Sequence, residues 1–242
     1  KFADSPLPDP VTRELMSLVE LMRYPLAVRS SSLLEDSRYQ PFAGIYQTIM
    51  LPNNHFESDV RLQELVAAIK QVYASTYSQR AKNYLAATPY RLEEEKMAVI
   101  IQKLVGTQHQ NRFYPNVAGV ARSYNFYPHP PLTSTDGIAS VALGLGTTVV
   151  DGGLSVRFSP RFPRHMVQLS DIEDTLRNTQ KVFCAVELPD GTGEVNPEMY
   201  MKTYGLEVAE KDGTLLPVVS TYSRENDSIT DGLSRHGVRL VT

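Results

Sequence analysis

Residues 26–51 read LAVRSSSLLEDSRYQPFAGIYQTIML, and this stretch decides the fold. A short apolar run, Leu26-Ala27-Val28, ends in Arg29 and three serines. An acidic pair, Glu35-Asp36, follows, then a small-residue turn, Phe42-Ala43-Gly44. A second apolar run begins at Ile45 and closes at the Pro52-Asn53-Asn54 turn. Short apolar runs bounded by turn residues read as buried strands. The stretch therefore predicts strands over 26–30 and 45–51. Its polar centre has a second meaning. A guanidinium offers a planar fork of donors that matches phosphate oxygens. Serine hydroxyls and exposed backbone N–H groups complete such a cradle. Arg29 is thus a candidate for holding the phosphates of a nucleotide.

Outward from this stretch, Asp9-Pro10 reads as an N-cap and first helical residue. Val11, Leu15, Leu18, Val19 and Met22 then share one helical face, and Pro25 stops the helix. Leu62, Leu65, Val66, Ile69, Val72 and Tyr73 keep helical spacing and predict a long helix over 57–81. Residues 97–105, MAVIIQKLV, read as a buried strand interrupted by Gln102 and Lys103. Residues 106–116 read as a loop, and 117–122 and 138–143 as further strands. Gly144-Leu145-Gly146 and Asp151-Gly152-Gly153 mark tight turns. Ser170-Asp171-Ile172-Glu173 reads as a capping box opening a helix to about Val182. In the tail, YGLEVAE, LLPVVST and GVRLVT all look strand-like. Helices and strands alternate early and strands dominate later, so the expected class is α+β, or mixed α/β. A soft boundary near Asp190-Gly191 divides a region 1–190 from a small β-rich module, 191–242.

With 242 residues and 42% hydrophobic content, the chain can bury a proper core. The formal net charge is −3, so the balance offers no basic surface for nucleic acid. Apolar runs fall well short of the roughly 20 residues that a membrane helix needs. The single cysteine, Cys184, excludes an internal disulfide and a cysteine-rich zinc site, and fits a reducing cytoplasm. The first residue is Lys1, which suggests a piece of a longer chain. No G-x-x-x-x-G-K-[ST] loop is present, and Val149 stands where G-x-G-x-x-G needs its third glycine. No G-x-S-x-G elbow or H-E-x-x-H helix occurs either. The five histidines, His55, His109, His129, His165 and His236, are scattered without metal-ligand spacing.

What remains is an ordered set of segments. AVRSSSLLED followed by FAGIYQT resembles the V-R-S-S-x-x-x-E-D … F-A-G-x-x-x-T signature of the phosphoenolpyruvate synthase and pyruvate phosphate dikinase family. RLQELVAAIKQVYASTYSQRA resembles that family's long helix, and MAVIIQKLV its hinge strand. VAGVARS resembles S-G-V-A-F-T, and ALGLGTTVVDGG resembles the Gly-Leu-Gly-Glu turn. The likeness covers about residues 5–165.

The resemblance implies an ATP-grasp fold of antiparallel sheets with packed helices, and ATP with magnesium as cofactors. By resemblance, Arg29 and the backbone of Ala43 and Gly44 contact ATP phosphates. Gln102, Lys103, Leu104 and Val105 line the adenine. Two positions depart from the pattern. Thr147 stands where the family has the glutamate of Gly-Leu-Gly-Glu, and Arg161 follows Pro160 where the family has an Asp or Gln. Neither replacement is a hard-cation ligand. Asp151 is the nearest carboxylate that offers an alternative. The family also implies partners in a longer chain: a lysine-bearing segment before residue 1, then a phosphohistidine domain and a pyruvate-binding barrel after residue 242. Three readings follow. The first is the ATP-binding part of a phosphoenolpyruvate-synthase-like phosphotransferase. The second is a degenerate module kept for binding or regulation. The third is a related phosphotransferase with another acceptor.

Overall fold

The computed structural model describes residues 5–32, 35, 44–89, 91, 95–190 and 199–242. The chain forms two compact units. The first comprises 1–105, 111–113 and 186–202, and the second comprises 106–110, 114–185 and 203–242.

In the first unit, helix α1 (Asp9–Leu21) precedes strand β1 (Leu26–Ser32) and strand β2 (Thr48–Leu51). Helices α2 (Ser58–Ser75) and α3 (Gln79–Ala86) and strand β3 (Met97–Lys103) follow. The sheet order is β2-β1-β3, with both pairings antiparallel. Strand alternation divides β1 into two faces. Leu26 and Val28 enter the core with Ile49 and Leu51, against Leu15 and Val19 of α1 and Leu65, Ala68, Ile69 and Val72 of α2. These side chains are nearly all sealed from water, and their burial is the main drive for this unit.

Polar groups tie α1 and α2 to the loop between β2 and α2. Asn53 Nδ2 donates to the carbonyls of Met22 at 2.9 Å and Tyr24 at 3.2 Å. Arg61, buried on α2, donates from Nη1 to His55 O at 2.6 Å and from Nη2 to Val19 O at 2.9 Å. Val19 O lies in the last turn of α1, where carbonyls lack helical donors.

The expected helix 57–81 is two helices. Ser75, Thr76 and Ser78 compete with the backbone ladder at the break. Ser75 Oγ donates to Val72 O at 2.6 Å and accepts from Gln47 N–H at 3.2 Å. Ser78 then caps α3, accepting from Ala81 N–H at 3.2 Å. Apolar spacing runs through this break, which is why it predicted one helix. Strand β2 is also shorter than 45–51, because Tyr46 turns into a separate cluster with Ala81 and Leu85. At α1, Pro8 rather than Asp9 is the capping position.

The remaining elements are β4 (Thr107–His109), β5 (Arg112–Tyr114), β6 (Ala118–Arg122), β7 (Ile138–Ala142), α4 (Thr147–Val150), β8 (Val156–Phe158), α5 (Ile172–Asn178), β9 (Val182–Glu187), β10 (Met201–Gly205), α6 (Leu206–Lys211), β11 (Val219–Ser223), β12 (Ser228–Asp231) and β13 (Val238–Val241). The sheets run β10-β9-β5-β4, β6-β7-β8 and β12-β11-β13. Every strand pair with a defined register among the described residues is antiparallel. The fold is therefore the expected mixed class with antiparallel sheets.

Several details correct the sequence reading. Residues 106–116 contain β4 and β5, joined through Gln110 at φ 54°, and are not a plain loop. YGLEVAE splits into a strand end and helix α6, whose Leu206 and Ala209 are buried one turn apart. The same residues alternate in polarity, so a period of two misread a short helix. Helix α5 opens at Asp171, whose Oδ1 accepts from Asp174 N–H at 2.7 Å, and ends at Asn178. Arg239 on β13 clasps Glu210 on α6 with two bonds, 2.9 and 3.0 Å, and this holds the Glu210 carboxyl below the usual range.

A buried carboxyl in the first unit sets a pH dependence. Glu64 on α2 is 4% exposed and accepts a bond from the Tyr200 hydroxyl. Burial pushes Glu64 above the usual glutamate range, offset in part by Tyr200, His55 and Arg61. A raised folded value favours the fold where Glu64 is protonated. That contribution is complete below the ordinary value, about 4.5, and fades as pH rises through the raised one. Glu64→Gln cannot ionise. Its melting temperature relative to wild type should be flat below pH 4.5 and climb as pH rises above it. Parallel melting curves at all pH values would reject this assignment.

Candidate functional site

The open face of the β2-β1-β3 sheet carries the first group of candidate residues. Arg29 pairs across with Thr48 and Ile100, and Ala27 with Met50 and Gln102. Cross-strand partners share a face. Arg29, Ser31 and Gln102 therefore lie on the side opposite the core residues Leu26 and Val28. Arg29 and Gln102 sit about 7 Å apart along the strand direction. Both are exposed. The Arg29 guanidinium makes one long contact, Nε to Ser30 O at 3.5 Å, and has no carboxylate partner among the described residues.

The nearest candidate carboxylate is already engaged. Glu35 Oε1 accepts from Ser30 Oγ at 2.8 Å, and Oε2 accepts from Ser32 N–H at 3.0 Å. Glu35 N–H donates back to Ser32 Oγ at 3.2 Å. Ser30 and Ser32 are each 3% exposed. These two serines thus close the end of β1 internally instead of facing a ligand, and only Ser31 shares the face of Arg29. Tyr46 extends this network, with bonds to Ser32 and to Glu95 Oε2, the latter at 2.7 Å. Burial, then the Glu95 bond, pushes the Tyr46 hydroxyl above the usual tyrosine range. Glu35 was legible in sequence as an acidic residue, but its role was not. Tyr46 and Glu95 carry no spacing signal that marks them.

At the end of β3, Leu104 N–H donates to Pro25 O at 2.8 Å, and its side chain is buried. Val105 is 78% exposed and has no backbone partner among the described residues. Lys103 lies on the helix-facing side, with Nζ 4.6 Å from the centre of the Tyr24 ring. The four residues 102–105 therefore divide: Gln102 and Val105 are open, while Leu104 and Lys103 are engaged. Gly44 has φ +75°, a conformation that favours glycine. Ala43 lies outside the described residues.

The second group belongs to the second unit. Gly144 has φ +84°, and a Cβ there would meet Cys184 O at 2.7 Å. The turn is fixed on both sides. Gln180 accepts from Leu143 N–H and donates to Leu143 O, both at 2.8 Å. Leu145 N–H donates to Cys184 O at 2.9 Å. Thr147 opens α4, and its Oγ1 is buried without a partner among the described residues. Asp151 is exposed just after α4. Arg161 donates to Asp136 Oδ1 at 2.7 Å. The Thr133 backbone and then Arg161 hold the Asp136 carboxyl below its usual range. Arg161 is therefore committed to a carboxylate.

These residues do not suit a hard divalent cation. Thr147 offers a neutral hydroxyl and Arg161 a cation, where such an ion takes oxygen anions. Among the described residues, no group of three or more His, Cys, Asp or Glu side chains is placed to hold a metal.

Comparison with known proteins places this sequence in a family. The family described as pyruvate phosphate dikinase, AMP/ATP-binding domain, matches residues 1–206. The chain belongs to that family. It is 30% identical over 156 residues to an uncharacterized phosphotransferase of Bacillus subtilis, covering 64% of this chain and 16% of that protein. It is 28% identical over 181 residues to the phosphoenolpyruvate synthase of Aeropyrum pernix, covering 72% and 19%. It is 28% identical over 131 residues to the rifampicin phosphotransferase of Bacillus cereus, covering 53% and 13%. The chain thus spans less than a fifth of the length of these relatives. No helix among the described residues is long and apolar enough to cross a membrane.

The Glu35 closure is testable as structure. Glu35→Ala leaves a buried hydroxyl and a buried N–H without their acceptor, at a cost of about 1–3 kcal/mol. Urea unfolding should show a lower midpoint with unchanged slope. An unchanged midpoint would mean that water replaces the carboxylate freely.

Proposed function

We propose that this chain is the nucleotide-binding module of a phosphotransferase of the phosphoenolpyruvate synthase type. The observation that carries the reading is Arg29, exposed, free of any described carboxylate and on the same open sheet face as Gln102. An arginine on such a face is suited to a di- or triphosphate. Gln102 and the open backbone of Val105 are suited to an adenine edge. The Ala43-Gly44 turn would lay backbone N–H groups over the phosphates. In the whole protein, ATP would phosphorylate a histidine on a separate domain, and a further domain would hold pyruvate. The reading places the protein in the cytoplasm and treats 1–190 and 191–242 as functional divisions.

A second reading is favoured by a specific observation. Thr147 Oγ1 is buried without a partner and Arg161 is tied to Asp136, so two expected magnesium positions lack ligand chemistry. Phosphoryl transfer rests on positioning and charge neutralisation, with metal ions central to both. This module would then bind nucleotide weakly and serve a binding or regulatory role. A third reading keeps the transfer chemistry with a different acceptor, as the rifampicin phosphotransferase among the relatives illustrates.

Calorimetry with ATP, with and without magnesium, separates these readings. Binding should be weaker than about 10 μM, or about −7 kcal/mol, and should change little with magnesium. Arg29→Ala should weaken it at least about tenfold, since a charged hydrogen bond contributes about 1.5–3 kcal/mol. Tight, strictly magnesium-dependent binding would overturn the degenerate reading. Binding indifferent to Arg29→Ala would overturn the site.

Thr147→Glu, tested in the longer protein, should raise magnesium-dependent affinity by supplying an anionic oxygen ligand. Arg29→Ala added to it should remove that gain. If Thr147→Glu folds normally and gains nothing, Thr147 is not the deciding change.

A further inference from the structure

One face of the β6-β7-β8 sheet carries positive charge where a magnesium site would carry negative. Strand register decides which residues share it. Val120 pairs with Ser140 and Arg122 with Ile138, and Ser140 pairs on its other side with Arg157. Cross-strand partners and alternate residues along a strand point the same way. Val120, Arg122, Ile138, Ser140 and Arg157 therefore lie on one face, and Ala139, Val141, Val156 and Phe158 on the other. The first group holds two arginines and no carboxylate, in a chain whose acidic residues outnumber its basic ones. Arg122 and Arg157 are exposed, and neither side chain has a partner among the described residues. Their Cα atoms lie about 12 Å apart, two strand spacings across and two residues along. Two extended arginine side chains can span that gap to one anion of several phosphates.

The carboxylate at this corner, Asp136, is already engaged. Its Oδ1 accepts from Arg161 at 2.7 Å, and its Oδ2 from Thr133 N–H at 2.7 Å and Thr133 Oγ1 at 2.8 Å. At the other end of β6, Gly146 lies against Ala118, since a Cβ there would meet Ala118 Cβ at 3.7 Å. Thr147 comes next, with its buried Oγ1 unpartnered among the described residues. The departures from the family pattern in this unit move charge in one direction. Thr147 removes a carboxylate, Arg161 adds a guanidinium where the pattern has Asp or Gln, and Arg122 stands at the phenylalanine of S-G-V-A-F-T. Magnesium neutralises phosphate charge, and anionic oxygens hold the magnesium. A face that lacks those oxygens and presents free guanidinium groups is suited to neutralise phosphate directly, two oxygens to a fork.

We propose that this face binds a condensed phosphate, inorganic or the phosphate chain of a nucleotide, through Arg122 and Arg157 and without a divalent metal. The inference rests on the reading of the family as phosphate-binding, and not on Arg29. The full chain carrying Arg29→Ala, which removes the first-unit candidate, is titrated with tripolyphosphate, ADP and adenosine in EDTA and followed by NMR. Tripolyphosphate should saturate, with shifts centred on the amides of Val120 and Ser140, and adenosine should not bind. ADP shifting the same amides at equal or better affinity identifies a nucleotide as the source. Tripolyphosphate binding alone identifies the inorganic anion. Magnesium in place of EDTA should not tighten binding. Arg122→Ala and Arg157→Ala should each weaken tripolyphosphate at least about tenfold, the size expected of a charged hydrogen bond. Both positions are exposed, and melting curves check that the fold is kept. The control Arg13→Ala/Arg80→Ala, on α1 and α3, removes more charge than either single variant but should change affinity less than about twofold, because distant exposed charges are screened. Failure of tripolyphosphate to saturate overturns the proposal. So does a strict need for magnesium, or a loss as large in the control as in the Arg122 and Arg157 variants. None of these outcomes bears on Arg29, which the ATP calorimetry tests by itself.

Discussion

The register of β1 between its two neighbours is the constraint on which the first unit and its candidate site both depend. Strand β1 pairs with β3 from Leu26↔Lys103 to Ser32↔Met97, and with β2 from Leu26↔Leu51 to Arg29↔Thr48. A slip of one residue would invert every side chain. It would drive the Arg29 guanidinium into the cluster of Leu65, Ile69 and Val72 and turn Val28 to water. Burying an unpaired cation costs several kcal/mol, and exposing Val28 forfeits about 1.5–3 kcal/mol more. The same energy that packs Leu26 and Val28 therefore aims Arg29 outward. Core and site are two readings of one alternation.

The end of β1 shows how the face that carries Arg29 is kept open. An arginine on β1 in the same segment as Glu35 invites a simple ion pair, which would neutralise Arg29 and occupy its donors. Instead, Glu35 is consumed by Ser30 and the Ser32 N–H. Both serines point to the opposite face from Arg29, so the carboxylate is held there by their geometry. Tyr46 fastens Ser32 to Glu95 ahead of β3, which links the two strands that carry Arg29 and Gln102.

Much of this was legible in sequence, and the remainder was hidden for identifiable reasons. The strands at 26, 97, 117 and 138 were visible because apolar runs with turn punctuation report burial directly. The open position of Arg29 comes from its alternation with Leu26 and Val28 along β1, which the sequence reading did not use. The break between α2 and α3 was hidden because Ser75 and Ser78 act through hydrogen bonds, which leave the apolar period intact. Helix α6 was hidden because Leu206, Val208 and Ala209 satisfy both a period of two and a turn of helix over so few residues. The roles of Ser30 and Ser32 were misread because composition does not tell which face a hydroxyl occupies. The Gln180 clamp on Leu143 joins residues far apart in sequence, and no local pattern encodes it.

The second unit separates scaffold from chemistry at the Gly-Leu-Gly turn. Its backbone is heavily determined: Gly144 has no room for a Cβ, Gln180 grips Leu143, and Leu145 is held to Cys184. Yet the side chain it presents is Thr147, whose hydroxyl finds no partner among the described residues. An unsatisfied buried hydroxyl costs about 1–3 kcal/mol, so stability gives no reason for it to sit there unpaired. Arg161 differs, since its bond to Asp136 explains its presence without reference to any ligand. The two departures are therefore not equivalent. Arg161 is accounted for by its ion pair with Asp136, whereas Thr147 stands at a fitted turn with a buried hydroxyl that has no partner among the described residues.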